Sequence, residues 1–312
     1  MKNQILFSQM IQLFLMILFG FILFKVKLMS VELNQKLTKL LVDFTLPMLI
    51  VSSVLTQQGE RELDKVGKVF LISIVLCLVL PVISYVVIKL LHFPKGQQGI
   101  YMFMFQYSNI GFMGFPILDA LYGKQAVLYT AVLNMIVTLS VYTIGVAMMY
   151  AKGEDGTSVK EQIHLNQLLT PGVIGSCLAI VLYFTAIKLP KEITGAIQSV
   201  GNLTSPLAML MIGATLANMK LHEILDDKRV YVFAVIKQIV FPLLCWPLFR
   251  QWISDSYMRG VLFILLLMPV ANTAVLFATR YHADEKLAAK TIFVTTVLSI
   301  LSIPLCFAVT GM

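Results

Sequence analysis

The sequence has little charge and no recognisable catalytic motif. Only 13% of its 312 residues are charged and 58% are hydrophobic, and the mean hydropathy is +0.86. This balance excludes an ordinary soluble domain and indicates an integral membrane protein. The motifs H-E-x-x-H, G-x-S-x-G and G-x-x-x-x-G-K-[ST] do not occur, so no zinc protease, serine hydrolase or P-loop site is predicted. We therefore expect a protein that is not an enzyme and needs no cofactor.

Cysteine and histidine are also scarce. Cys77, Cys177, Cys245 and Cys306 each lie in an apolar run, and no C-x-x-C pair occurs. We interpret them as free thiols. The four histidines are scattered near the ends of apolar segments, so no metal site is predicted. The net charge of +8 comes from basic residues that mostly flank apolar segments, which favours contact with lipid headgroups over nucleic acid.

The apolar residues fall into ten long segments. A membrane-spanning helix needs about 20 residues, and ten segments meet this length. The first is too long for a signal peptide and lacks a small-residue cleavage site, so it is kept as a span. The predicted spans are 5–26, 36–56, 67–91, 97–121, 125–151, 166–188, 195–218, 230–252, 257–280 and 286–310.

The two halves of the chain resemble each other. The segment DFTLP at 43–47 in span 2 matches NLTSP at 202–206 in span 7, and Pro81 in span 3 matches Pro242 in span 8. The pairs follow the same order along the chain, which indicates an internal repeat. Five spans per half is an odd number, so the second half enters the membrane from the opposite side and the repeat is inverted.

This repeat divides the chain into three parts. Residues 1–151 form the first five-span repeat, 152–164 a polar linker, and 165–312 the second repeat. More of the lysines and arginines lie between spans 1 and 2, 3 and 4, 5 and 6, 7 and 8, and 9 and 10 than on the other side. The positive-inside rule then predicts a cytoplasmic linker and both termini outside the cell membrane.

Spans 4 and 9 both contain residues that interrupt a helix. Span 4 includes YSNIGFMGFPI at 107–117, and span 9 includes MPVANTAV at 268–275. A broken helix exposes backbone N–H and C=O groups that lipid cannot satisfy, so each break must face protein, water or a ligand. If the breaks meet, the partial positive charges of two helix N-termini come together beside Asn109 and Asn272. Such a place suits a small anion.

At these residues the sequence resembles the auxin efflux carrier family. The resemblance rests on YSNIGFMGFPILDALYGKQAVLYTAVLNMIVTLSVYTIG at 107–145 and MPVANTAVLFATRYHADEKLAAKTIFVTTVLSILSIPL at 268–305. It implies ten helices in two inverted five-helix repeats, with broken helices 4 and 9 crossing near the midplane beside the substrate site. It also implies scaffold and transport domains that each draw on both repeats. The linker is short, which favours a bacterial-type organic-acid carrier over an auxin carrier.

Several residues are candidates for the site. Each has a structural alternative, because a membrane asparagine often forms only an interhelical hydrogen bond and a glycine often serves close packing. For Asn134 the two roles are equally supported. The predicted helix-break residues are Gly114, Pro116 and Pro269, and the predicted substrate-binding residues are Asn109, Gly111, Asn134, Asn272 and Thr273.

Two charged residues inside spans are candidates for ion coupling. Asp43 lies in span 2, four residues before Pro47, and a buried acid is expensive enough to indicate function. Lys237 lies in span 8. The alternatives are a structural hydrogen bond for Asp43 and a side chain that reaches the headgroups for Lys237. If the two meet, they form a fixed salt bridge instead of a proton-coupling site.

These features favour a secondary carrier that moves a small organic anion, a mono- or dicarboxylate, by alternating access with possible proton coupling. The alternatives are a uniporter for auxin-like or other organic anions driven by the membrane potential, and a channel, which does not require the inverted repeat. The expected partners are the organic anion, protons or another coupling ion, and the lipid bilayer. The sequence is compatible with a homodimer.

Overall fold

The structure is a computed structural model, which describes residues 2–56, 62–150, 169–185, 187, 189–218 and 227–311. The predicted linker at 152–164 lies outside these residues. Across the described ranges the chain is helical and contains no strand; the one β-type contact is an isolated bridge between Ser108 and Val270. The prediction of an all-helical protein is confirmed.

We number the main helices in chain order. They are α1 (Lys2–Lys25), α2 (Val31–Leu55), α3 (Leu63–Leu90), α4 (Gln98–Gln106), α5 (Ile110–Tyr122), α6 (Lys124–Met149), α7 (Pro171–Thr185), α8 (Lys191–Asn218), α9 (Lys228–Trp252), α10 (Ser256–Leu267), α11 (Thr273–Arg280) and α12 (Glu285–Thr310).

Six of these helices are long and apolar enough to cross a membrane. They are α2, α3, α6, α8, α9 and α12, with lengths of 25 to 28 residues. Four shorter apolar helices lie in the remaining predicted spans: residues Ile11–Lys25 of α1, together with α5, α7 and α10. The chain is therefore a multi-pass membrane protein by length and composition.

The outward faces of several helices are apolar. On α3, Leu71, Leu78 and Val82 are each more than 60% exposed. A soluble protein rarely leaves such a continuous apolar surface in water. These faces fit the hydrocarbon of a bilayer, which explains why apolar residues surround α3 instead of forming one buried stripe.

Short π-helical turns lie just before a proline in three of the helices. The turns Leu41–Thr45, Ile110–Gly114 and Ile236–Val240 are each followed by Pro at the second position of the next α-helical segment, at Pro47, Pro116 and Pro242. Proline lacks an N–H and its ring clashes with the carbonyl four residues earlier. The wider turn relieves this clash, so these helices continue past their prolines.

Glycines allow α1 and α8 to pack with their backbones in contact. A methyl group on Gly20 would overlap the backbone oxygen of Leu210, and one on Gly213 would overlap the backbone oxygen of Ile17. Small residues at such crossings are typical of membrane helix pairs. The buried apolar side chains form two clusters, one mainly between α1, α2, α5, α6, α8 and α10 and the other mainly between α4, α9, α11 and α12.

Candidate functional site

Two helix breaks lie against each other. The first break, residues 107–109, separates α4 from α5, and the second break, residues 268–272, separates α10 from α11. The backbone N–H of Asn109 donates to the carbonyl of Pro269 at 2.7 Å, and that of Ala271 donates to the carbonyl of Tyr107 at 3.1 Å. The two breaks therefore satisfy part of each other's backbone in a short antiparallel contact.

The helices that follow the breaks begin beside this contact. The Asn109 side chain caps α5, because its Oδ1 accepts a hydrogen bond from the Phe112 N–H at 3.2 Å. Asn272 occupies the same position before α11 but forms no side-chain cap hydrogen bond. Each helix N-terminus carries a partial positive charge. The contact thus brings two positive helix ends into one region.

Polar side chains from α9 and α12 satisfy the second break. Gln238 Nε2 donates to the Leu267 carbonyl at 3.4 Å, and Lys237 Nζ donates to the Met268 carbonyl at 2.9 Å. The Val270 N–H donates to Thr295 Oγ1 at 3.2 Å. These groups replace the helical hydrogen bonds that the break removes, which explains why polar residues are buried in otherwise apolar helices.

Lys237 joins the two breaks. Its Nζ also donates to Ser108 Oγ at 3.0 Å, and the residue is only 2% exposed. The side chain therefore turns into the protein and does not reach the headgroups. No ion pair between described residues includes Lys237, so its amine is held by uncharged acceptors alone.

A small cavity of about 50 Å³ lies beside the first break. Its polar lining comes from Ser73 and Cys77 on α3 and from Gln106, Tyr107 and Ser108. Gln106 is 7% exposed, and its Oε1 has no hydrogen-bond partner. The volume holds a few water molecules, which such a buried acceptor needs. Gln106 and Ser108 were not predicted as site residues; their position directly before Asn109 is the signal that could have identified them.

The predicted binding residues have different surroundings. Asn109 is buried and Gly111 and Asn134 are half-buried, whereas Asn272 and Thr273 are exposed. The structure brings Asn109 and Asn272 to the two contacting breaks. Asn134 lies on α6 between Leu133 and Val137, which both line the small cavity; Asn134 itself does not.

The predicted helix-break residues do not all lie in the breaks. Gly114 and Pro116 come after the first break, at the end of the π-helical turn and at the second position of the α-helix that follows it. Pro269 lies within the second break and provides the carbonyl that binds Asn109. In span 4 the chain leaves helical geometry earlier than the glycine and proline indicate, at Tyr107.

Asp43 lies away from the breaks. It occupies the π-helical turn of α2 and its side chain is exposed. Lys237 donates to Ser108 and Met268 instead, so the structure does not bring the two predicted ion-coupling residues together. Among the described residues, no group of three or more histidine, cysteine, aspartate or glutamate side chains is arranged to hold a metal ion.

A larger cavity, of about 280 Å³, lies between α1, α5 and α8. Asn202 and Asp119 line it, and Lys124 Nζ donates to Asp119 Oδ2 at 3.0 Å and to Asn202 Oδ1 at 3.2 Å. Asn202 is the counterpart of Asp43 in the repeat. It therefore forms part of a polar cluster with Asp119 and Lys124, separate from the two breaks.

Comparison with known proteins gives one family match over most of the chain. Residues 5–307 match the family described as membrane transport protein. An uncharacterized transporter of Methanocaldococcus jannaschii is 22% identical, over 86% of this chain and 87% of its own length. An uncharacterized transporter of Escherichia coli K12 is 23% identical over 63% of each chain. A Rhizobium meliloti protein whose name proposes a malonate transporter is 23% identical over 63% of this chain and 62% of its own.

Proposed function

Because the chain belongs to the membrane transport protein family, whose model it matches over residues 5–307, we propose that it is a secondary carrier that moves a small organic anion by alternating access. The family and the relatives named as transporters point to transport and not to catalysis. The described helices support the proposal, since most of the chain lies in apolar segments.

The proposed architecture is a pair of inverted five-helix repeats. The six long apolar helices and the four shorter ones correspond in position to the ten predicted spans. The two breaks occur at the fourth and ninth of these, as an inverted repeat requires. A scaffold domain and a transport domain, each built from both repeats, would then move relative to each other around the crossing of these broken helices.

The proposed binding site lies where the breaks meet, and one observation carries it: two helix N-termini and the Lys237 amine converge on this region. All three contribute positive charge or N–H donors, which suit a carboxylate. Asn109 and Asn272 directly precede the two helices. The Asn272 side chain forms no cap hydrogen bond, so it is available to a ligand. Gly111, Thr273 and Asn134 complete the proposed lining.

The proposed substrate is a mono- or dicarboxylate. One relative carries a name that proposes malonate, a small dicarboxylate. Of the two residues proposed for ion coupling, only Lys237 contacts the breaks. Proton movement through Asp43 is therefore not part of the binding mechanism proposed here.

A thermal-shift screen of the purified protein against small mono- and dicarboxylates tests this function. A ligand that binds the folded state raises its stability, by about 2.7 kcal/mol at 100 times Kd. We expect at least one carboxylate to raise the unfolding temperature and the uncharged amide of the same acid to have no effect. A complete absence of stabilisation across the series would contradict the proposal.

Variants then locate the site. Asn272→Ala is expected to abolish most of the ligand-induced shift without changing the unfolding temperature of the ligand-free protein, because this side chain forms no cap hydrogen bond. Asn109→Ala is expected to reduce the ligand-induced shift and also to lower the unfolding temperature of the ligand-free protein, since the loss of a helix cap costs about 1 kcal/mol. Asn218→Ala, at the exposed end of α8, is the matched control and should leave both unchanged.

A further inference from the structure

The structure buries a lysine without a counter-charge where the breaks meet. Among the described residues, Lys237 Nζ donates to one hydroxyl and one carbonyl, Ser108 Oγ and the Met268 oxygen. Neighbouring polar groups on the packed helices, Gln238 and Thr295, are uncharged. Removing a charge from water without a counter-charge is costly. Burial without a counter-charge favours the neutral amine, and an anion bound at the breaks favours the ammonium form instead.

We propose that Lys237 balances the charge of the bound carboxylate, so that the loaded carrier crosses the membrane with no net charge at the site. This inference rests on the proposed function. The hydrogen bonds of Lys237 to both breaks hold its amine at the proposed binding site. With a singly charged carboxylate bound beside the ammonium form of Lys237, the site is neutral.

This arrangement selects for a class of substrate. A monocarboxylate, or a dicarboxylate with one proton, leaves no excess charge in the low-dielectric interior. A doubly charged dicarboxylate leaves one negative charge to be carried across the membrane potential. Lys237 therefore acts as a specificity-determining residue that favours singly charged carboxylates.

If the loaded site is neutral, the rate of substrate exchange does not depend on the membrane potential. When labelled substrate exchanges for unlabelled substrate, only the loaded carrier crosses the membrane. A neutral loaded carrier does not respond to the membrane potential.

The experiment uses the purified protein in liposomes whose potential is clamped with valinomycin and potassium gradients. Labelled lactate is the singly charged probe and labelled malonate the doubly charged one. For the wild type we expect the lactate exchange rate to change less than about twofold between 0 and −100 mV and the malonate exchange rate to change more. A wild-type lactate exchange rate that follows the potential strongly would overturn the inference.

Substitution of the lysine gives the second test. In Lys237→Gln the loaded site carries the negative charge of lactate, and 100 mV shifts the populations of its two orientations by up to about 50-fold. Lactate exchange should then become voltage-dependent, and Lys237→Arg should restore independence. Lys89→Gln removes an exposed lysine at the end of α3 and should behave as the wild type does. A structural role alone would change amounts or rates but not this voltage dependence.

The outcomes distinguish a failure of the charge-balancing role of Lys237 from a failure of the proposed transport function. If neither probe is bound or transported, the proposed function fails for small carboxylates and the inference fails with it. If lactate is transported and Lys237→Gln keeps a voltage-independent exchange, the function stands and the charge-balancing role is wrong. If Lys237→Gln does not fold, the comparison of lactate with malonate in the wild type decides.

Discussion

Gly111 and Gly114 lie three residues apart in the same π-helical turn, but their surroundings differ. A methyl group on Gly111 would meet nothing within 4 Å, whereas one on Gly114 would lie 3.1 Å from Leu265 Cδ2 and 3.4 Å from Ile110 Cγ2. Gly111 therefore borders open space near the start of α5, and Gly114 fills a packed position. The sequence predicted a binding role for Gly111 and a helix-break role for Gly114. Their different packing agrees with different roles for the two glycines.

Gly111→Ala is predicted to weaken binding without loss of stability. The added methyl group enters open space beside the α5 N-terminus, and alanine is a better helix former than glycine by about 0.5–1 kcal/mol. We expect unchanged or slightly raised thermal stability and a loss of carboxylate affinity of about tenfold, measured by ligand titration. Unchanged affinity would remove Gly111 from the site.

Gly114→Ala is the matched variant with the opposite expectation. The methyl group must displace Leu265 or Ile110, which costs about 1 kcal/mol or more for an overpacked position. The unfolding temperature should fall, and the effect on ligand affinity should be smaller than for Gly111→Ala. Equal stability of the two variants would contradict this account of their packing.

Asp255 connects the start of α10 to the start of α3. Its Oδ1 accepts hydrogen bonds from the backbone of Tyr257 at 2.9 Å and Met258 at 3.0 Å, and its Oδ2 lies 3.1 Å from Lys65 Nζ. Burial alone would raise the pKa of Asp255, but hydrogen bonds from the Met258 backbone and from Lys65 outweigh it and hold that pKa below its usual range.

This shift predicts how stability depends on pH. Because the pKa is lower in the folded state, the ionised carboxylate stabilises the fold above the ordinary pKa of aspartate, and this contribution is lost as the pH falls through the folded-state pKa. Asp255→Asn keeps a capping oxygen but removes the charge. Its unfolding temperature should be lower than that of the wild type at pH 7, and the difference should narrow toward pH 3.

Asp255→Ala separates the cap from the charge. It removes the capping oxygen as well, so it should lose about 1 kcal/mol more than Asp255→Asn at pH 7. The additional loss should persist at low pH, where the charge no longer contributes. A difference between wild type and Asp255→Asn that stays constant with pH would show that the charge of Asp255 does not stabilise the fold.

At the scale of the helices, the contact of α1 with α8 depends on two glycines. Gly20 and Gly213 each face backbone atoms of the other helix, and backbone cannot move aside as a flexible side chain can. Gly213→Ala should therefore separate the helices and destabilise the protein by about 1–3 kcal/mol. Gly67→Ala on α3 is the control, because a methyl group there meets nothing within 4 Å. Thermal unfolding in detergent compares the two, and equal stabilities would contradict the prediction.

The sequence predicted which two spans are interrupted, but it did not predict the residue at which the first interruption begins or the π-helical turns. Glycine, asparagine and proline within two apolar spans identified both breaks, since these residues disfavour regular helix. The prediction placed the break of span 4 near Gly114 and Pro116, but the interruption begins at Tyr107. The π-helical turns were not predicted, because they depend on how a proline is accommodated by tertiary packing and not on the proline alone.

The role of Lys237 shows a second limit of sequence reasoning. Its distance from the span end allowed either a headgroup contact or a buried position, and only the rotation of α9 against its neighbours decides between them. That rotation brings Nζ to Ser108 and Met268. Asp43 had a similar pattern of surroundings in the sequence but faces outward. Periodicity is a poor guide to such faces when both sides of a helix are apolar.

At the scale of the whole molecule, the family resemblance drawn from two motifs is confirmed by a match over residues 5–307. Hydropathy was sufficient to predict a multi-pass helical protein, because lipid requires long apolar helices. The orientation of the termini stays a prediction, because the positions of the helices do not show which side of the bilayer is cytoplasmic.

Cysteine labelling tests this orientation. In a background without the four native cysteines, we introduce Gly96→Cys between α3 and α4 or Lys191→Cys at the start of α8, both exposed positions. With both termini outside, a membrane-impermeant maleimide added to intact cells should label Lys191→Cys only. Permeabilised cells should label both variants, which serves as the control. Labelling of Gly96→Cys alone in intact cells would reverse the topology. The linker position Ser158 should behave as Gly96 does.

The contact between the two breaks also constrains how the protein is made. The Asn109 N–H binds the carbonyl of Pro269, and Pro269 is synthesised 160 residues later (269 minus 109). An unsatisfied backbone group costs several kcal/mol in lipid. The first half of the chain therefore enters the bilayer before the Asn109 N–H has its acceptor, and the second half supplies that acceptor later. Synthesised alone, the first half should remain a target for membrane quality control, and synthesised together as separate chains, the two halves should protect each other from degradation.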